Sequence, residues 1–193
     1  GAGKNLFRRG GSALGQPKEA APVKLLAGLL AGRAELFGTA RERLEQMFGP
    51  VDLESAIMAF NFTDYYAQEM GSPLYRRFFS FQKMVDPGRL AEIKLSTNAL
   101  EEELAIEGRR RVNIDPGYLT PAKLVLATTK ERAHRIYLGG GIYAEVTLLY
   151  QRGGFAVLPW TYPDYRSVEY HDFFSRVREI CLRQTNDSKG CPC

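Results

Sequence analysis

A chain of 193 residues with 45% hydrophobic side chains can bury one core, and 26 lysines and arginines against 22 acids leave a formal charge of +4. No run reaches the roughly eighteen apolar residues that a membrane-spanning helix needs, so no membrane partner is expected. Three cysteines are too few for a disulfide framework and fit a reducing cytoplasm.

Most of the basic excess lies at the start, where Lys4, Arg8, Arg9 and Lys18 face only Glu19 in a glycine-rich stretch. Residues 1–22 therefore read as a disordered basic arm, residues 23–184 as a single α+β domain, and residues 185–193 as a flexible tail. Cys191 and Cys193 lack further ligands at zinc spacing, so the tail reads as inert. What remains is nearly neutral, and nucleic acid is not an expected partner of the folded part.

Residues 23–31 are apolar enough for a buried strand; they follow no signal-peptide pattern. Residues 33–48 set Leu36, Phe37, Ala40, Leu44, Met47 and Phe48 on one helical face, stopped by Gly49 and Pro50. Strands follow over 54–62 and 75–85, joined by the loop TDYYAQEMGSP. Asp86 and Pro87 open a second helix as cap and first residue, with Leu90, Ile93, Leu100 and Leu104 at helical spacing. A strand after Gly108 completes strand, helix, strand, strand, helix, strand, the order of a ferredoxin-like βαββαβ core. KLVLATT, HRIYL, IYAEVTLLY and FAVLP extend it as an antiparallel hairpin region. A C-terminal helix near 167–183 carries Tyr170, Phe173, Phe174, Val177 and Ile180, with Ser167 as its cap.

Two places invite chemistry. In RVNIDPG, Arg111, Asn113 and Asp115 share one strand face opposite Val112 and Ile114, and the following Pro116 and Gly117 read as a turn that leaves Asp115 at a strand end. A carboxylate there either bonds its own backbone in an Asx turn or serves a ligand. With Gly139, Gly140 and Gly141 as the hairpin loop, Leu138 faces Ile142, Tyr137 faces Tyr143, Ile136 faces Ala144 and Arg135 faces Glu145. Ile136, Leu138, Ile142, Ala144, Val146 and Leu148 then form one apolar side, and Arg135 with Glu145 reads as a cross-strand ion pair. By the same parity His134 is a half-buried histidine, with catalysis as its alternative role; His171 reads as surface. Lys94, Asn98 and Glu101 read as a solvated helical stripe.

VNIDPGYLT, LVLATTKERAHRIYL, GIYAEVTL, PWTYPDY and TDYYAQEMG closely resemble the bacterial proteins grouped as domain of unknown function 4416, over about Val23 to Arg183. The resemblance implies no defined activity. Some members carry a GTP-binding label, but the loop G-x-x-x-x-G-K-[ST] is absent here, since GAGKN has Asn5 after its lysine and no strand before it. The motifs add Asp64, Glu69, Lys130 and Asp164 to Asp115, His134, Arg135 and Glu145. The set expected is Asp115, His134 and Glu145 for acid–base work, with Asp64, Tyr65, Arg111, Asn113, Lys130, Arg135, Tyr143 and Asp164 for ligand. Asp115 and Glu145 would hold Mg²⁺, the cofactor such carboxylates accept. The function expected is binding of, or action on, a small phosphorylated ligand, nucleotides included, without a P-loop. The alternative is an RNA-binding module, for which RRFFSF would supply stacking aromatics, or a protein-interaction module.

Overall fold

The computed structural model describes residues 15–62 and 67–189. Most of the basic arm, the expected site residues Asp64 and Tyr65, and the Cys191–Cys193 tail lie outside the described residues. Residues 15–22 are exposed and carry neither helix nor strand.

The architecture is α+β. Strands β1 (Val23–Ala31), β2 (Val51–Glu54), β3 (Met58–Phe60), β4 (Leu74–Val85), β5 (Val112–Leu119), β6 (Lys123–Thr128), β7 (Ile136–Gly139), β8 (Ile142–Gln151) and β9 (Gly154–Val157) form one nine-stranded sheet. Its order is β2-β4-β1-β5-β6-β8-β7, with β3 beside β4, β9 beside β8, and every pairing antiparallel. The helices are α1 (Leu36–Phe48), the single turn α2 (Ala67–Met70), α3 (Leu90–Glu103) and α4 (Val168–Lys189). Among the described residues no helix is long and apolar enough to cross a membrane.

β1 is apolar on both sides because both faces of the sheet are covered there. Leu25, Ala27 and Leu29 meet Phe37 and Leu44 of α1, Ile93 and Leu100 of α3, and Phe79 and Phe81 of β4. Leu26 on the opposite face joins Phe78, Tyr170, Phe173, Phe174 and Val177 beneath α4. Phe78, Phe79 and Phe81 are thus fully buried, and RRFFSF is a core strand with no aromatic left for a base to stack on.

Helix boundaries follow local chemistry. Asp86 accepts the Gly88 N–H at 2.7 Å and caps the short turn that leads into α3. Gly49, at φ 90°, lets the chain leave α1 while its N–H bonds Glu45 O at 2.9 Å. Where one strand was expected over 54–62, β2 ends at Glu54 and only Met58–Phe60 pair as β3; between them the Ser55 hydroxyl accepts the Phe78 N–H of β4 at 2.9 Å in place of a ladder bond. α4 continues to Lys189, where a flexible tail was expected from 185.

The largest departure is at Asp115. β5 runs straight through Pro116 and Gly117, paired with β1 from Val112 opposite Ala31 to Leu119 opposite Lys24, so Asp115 is mid-strand and forms no Asx turn. Proline is tolerated because β6 pairs with β5 only from Gly117 onward, leaving the preceding residues without a neighbour on that side. Gly117 is needed for close approach: a Cβ there would meet Val125 O at 2.3 Å. Upstream of that contact β5 and β6 part, and the opening lies beside Asn113 and Asp115.

In the hairpin, Ile136 opposes Ala144 and Tyr137 opposes Tyr143 as expected. Leu138 is bulged, however, and Gly139 opposes Ile142, so the loop is Gly140 and Gly141 at φ 60° and 76°. A second irregularity puts Leu148 opposite Leu124 and Val146 opposite Val125. This extra residue moves Leu148 onto the face of Glu145, so the single apolar side does not form; Ile136, on the end strand β7, is 69% exposed.

Candidate binding cavity

The parted strands open a cavity of about 680 Å³ that reaches from α3, through the gap, to the loops after β3 and β9. Phe60 and Phe62, Arg76 of β4, Asn113 and Asp115 of β5, and Tyr162, Asp164 and Tyr165 form one part of its wall; Lys94, Asn98 and Glu101 of α3 with Arg110 form another. Thr128, Lys130, Arg135 and Glu145 complete it.

Arg76 is a charged residue at an inward position of a core strand and is 3% exposed. Its guanidinium lies among the rings of Phe60, Phe78 and Tyr165, at 5.3, 5.6 and 5.9 Å from their centroids. Nη2 donates to Asp164 at 3.2 Å and Nη1 stands 3.7 Å from Asp115, beyond hydrogen-bond reach. Nε and Nη1 have no hydrogen-bond partner, nor has the buried Tyr165 hydroxyl. Burial works against the charge on Arg76, yet Tyr165, Tyr170, Asp164 and Asp115 together raise its pKa above the usual arginine value. Burial also pushes the Asp164 carboxyl upward, opposed by Arg76. Gly28 makes room for the group, since a Cβ there would come within 2.7 Å of Phe78 and 3.2 Å of Arg76 Nη1.

On the α3 side, Lys94 and Glu101 are 5% and 7% exposed, so the stripe read as solvated is a buried wall. Lys94 Nζ donates to Ile114 O at 2.8 Å and stands 3.6 Å from Asp115 Oδ1. Glu101 accepts from the Ile114 N–H and from Arg110, and burial pushes its pKa up. Arg110 also bonds Asn113 Oδ1 at 2.9 Å and Glu69 at 2.6 Å, and Asn113 Nδ2 donates to Asp115 Oδ2 at 2.7 Å. α3 faces the gap between strands here instead of water, which helical spacing alone does not reveal.

A family model described as a domain of unknown function (DUF4416) matches residues 21–180. The chain belongs to this family. No curated protein and no solved structure matches it. Within the DUF4416 span the cavity takes its lining from residues 60 to 165.

Of the residues expected to act, Asp115, Glu145, Asn113, Lys130, Arg135 and Asp164 line one cavity. Arg111 does not; β5 begins at Val112, and the preceding Ile106–Arg109 bridge delivers Arg110 to the wall instead. Tyr143 packs on Tyr137 at 5.2 Å, outside the lining. His134 is absent from the lining too: half-buried, as its strand parity implies, it stacks on Trp160 at 5.0 Å and bonds Glu145 Oε2 at 2.9 Å, and the catalytic alternative has no contact with the cavity. His171, expected at the surface, bonds Tyr165 O at 2.9 Å.

Glu145 accepts from Arg135 Nε at 2.8 Å, as the hairpin register implies, and also from Thr147. Arg135 in turn donates to Lys130 O at 2.8 Å and Tyr162 Oη at 3.2 Å, tying the loop after β6 to the loop after β9. These contacts engage both oxygens of Glu145, one of the two residues expected to hold Mg²⁺, and no group of three or more His, Cys, Asp or Glu suited to a metal occurs among the described residues. Arg76, Lys94 and Arg110 are the wall cations not foreseen; for Arg76 the available signal was a cation at a core-facing position of β4.

Proposed function

We propose that the cavity binds a small phosphorylated ligand, nucleotides included, with Arg76 as the anchor for its anionic group. The observation that carries this reading is the buried guanidinium at a cavity wall with Nε and Nη1 unpartnered. An unmatched buried donor costs about 1–3 kcal/mol, more when charged, and an anionic oxygen supplies the acceptor that the protein does not. Both nitrogens are shielded by neighbouring side chains, so binding entails a shift of groups at the cavity floor. Lys94 adds a second cation, and Phe62 and Tyr162, 46% and 49% exposed, offer ring faces at the mouth. A volume of about 680 Å³ suits a ligand of that size, since small-molecule pockets span about 300–1,000 Å³.

The strand order β2-β4-β1-β5, with α1 and α3 on one face, supports a ferredoxin-like reading of the first half. In the RNA-binding alternative that face opposite α1 and α3 would be open, whereas α4 covers it with Tyr170, Phe173 and Phe174.

Thermal shift with inorganic phosphate, AMP and GTP, each with and without Mg²⁺, tests the reading. A ligand at a hundredfold its Kd stabilises by about 2.7 kcal/mol. Arg76→Lys should remove that response while remaining folded. An undiminished response in this variant, or none in the wild type to any anion, contradicts the proposal.

A further inference from the structure

Asp115 and Lys94 form an incompletely closed pair at the cavity wall. Asp115 Oδ1 and Lys94 Nζ are 3.6 Å apart at the cavity wall, too far for a direct hydrogen bond, while Lys94 Nζ already donates to Ile114 O. One ligand atom at about 2.8 Å from each fits that spacing. It must donate to a carboxylate and accept from an ammonium. A phosphate oxygen accepts from Lys94 but is repelled by Asp115; a ligand ammonium does the reverse; an apolar atom makes neither contact. A hydroxyl does both with a single oxygen.

The surroundings extend the same chemistry. Asn113 fixes Asp115 by donating to its Oδ2, and Asn98 and Thr128 line the same cavity. Asp115 has a side chain 28% exposed against 7% for Asp164 and 3% for Glu145, which makes it the most accessible of these three carboxylates. We propose that the ligand is a phosphorylated polyol of the sugar-phosphate class, with one hydroxyl bridging Asp115 Oδ1 and Lys94 Nζ. This rests on the anion-binding reading of Arg76, and the test separates the two.

Titration calorimetry of the full chain compares ribose 5-phosphate with pentyl phosphate, which has the same carbon count and phosphate but no other hydroxyl. Ribose 5-phosphate is expected to bind at least tenfold more tightly. Asp115→Asn, which presents an amide to Lys94, should close most of that gap, read as the ratio of the two affinities within the variant, and Lys94→Met should narrow the same ratio while weakening both probes; circular dichroism checks both folds. Equal affinity of the two probes in the wild type overturns the hydroxyl assignment and leaves the anion site standing, as does a gap that persists in both variants. Failure of both probes to bind overturns both readings, and failure of ribose 5-phosphate alone overturns the hydroxyl assignment.

Discussion

Two buried cations lie beneath α4 and differ in how they are matched. Lys24 of β1, fully buried, is paired with Asp52 and donates to Gln184 Oε1 at 3.0 Å, while Ser80 donates to Asp52 at 2.6 Å. Arg76 of β4 hydrogen-bonds Asp164 and stands 3.7 Å from Asp115, but its Nε and Nη1 have no hydrogen-bond partner. The first closes a network inside the sheet's own core; the second stands at a cavity wall. On the proposed reading, the fully matched cation serves the fold and the incompletely matched one, beside the cavity, serves binding.

That contrast is broken most directly by removing the matched cation. Lys24→Met should destabilise the fold by about 3 kcal/mol, the low end for breaking a buried pair because Asp52 retains some contact with water. Its response to phosphorylated ligands should be unchanged. A Lys24 variant with wild-type stability and weakened binding would reverse the assignment of the two cations.

A smaller loss is expected at Gly28. Adding a methyl group 2.7 Å from Phe78 and 3.2 Å from Arg76 should cost about 1–3 kcal/mol, and it should also displace the guanidinium. Gly28→Ala is therefore predicted to weaken anion binding beyond what its stability loss explains, as read by calorimetry well below the melting temperature. Unchanged affinity would show that the position of Arg76 does not depend on that space.

The smallest effect is a pH dependence of stability. Burial raises the pKa of Glu101, so the folded state holds a proton that the unfolded chain releases. The associated stability is complete below the ordinary glutamate range and is lost as pH climbs through the raised value. Glu101→Gln should flatten that part of the melting curve against pH. A slope identical to wild type would place the titrating group elsewhere, with Asp164, shifted in the same direction by burial, the next to substitute.

Much of the framework is legible in local chemistry. The apolar run of β1, the Asp86 cap and the pairing of Arg135 with Glu145 all follow from patterns spanning a few residues. What escapes such patterns is set by distant neighbours. Pro116 and Gly117 carry a turn signature, yet they lie in a strand because β1 pairs along all of β5 and Val125 presses on Gly117. Lys94 and Glu101 have the spacing of a solvated stripe, and only the parting of β5 from β6 makes that stripe a wall. Arg110 displaces Arg111 by a single position, because the strand begins one residue later than alternation implies. Six expected residues nevertheless share the cavity, since they follow inward positions of neighbouring strands and the loops beyond them.

The most direct measurement is the nitrogen-15 resonance of Arg76 Nε, assigned with Arg76→Lys and followed while a phosphorylated probe is titrated to saturation. If Arg76 anchors the anion, its Nε–H should shift downfield and exchange more slowly with water in step with occupancy, while Arg43, ion-paired with Glu103 between α1 and α3, stays unchanged. Saturation with the Arg76 resonance unmoved would contradict the assignment of this cavity to anion binding.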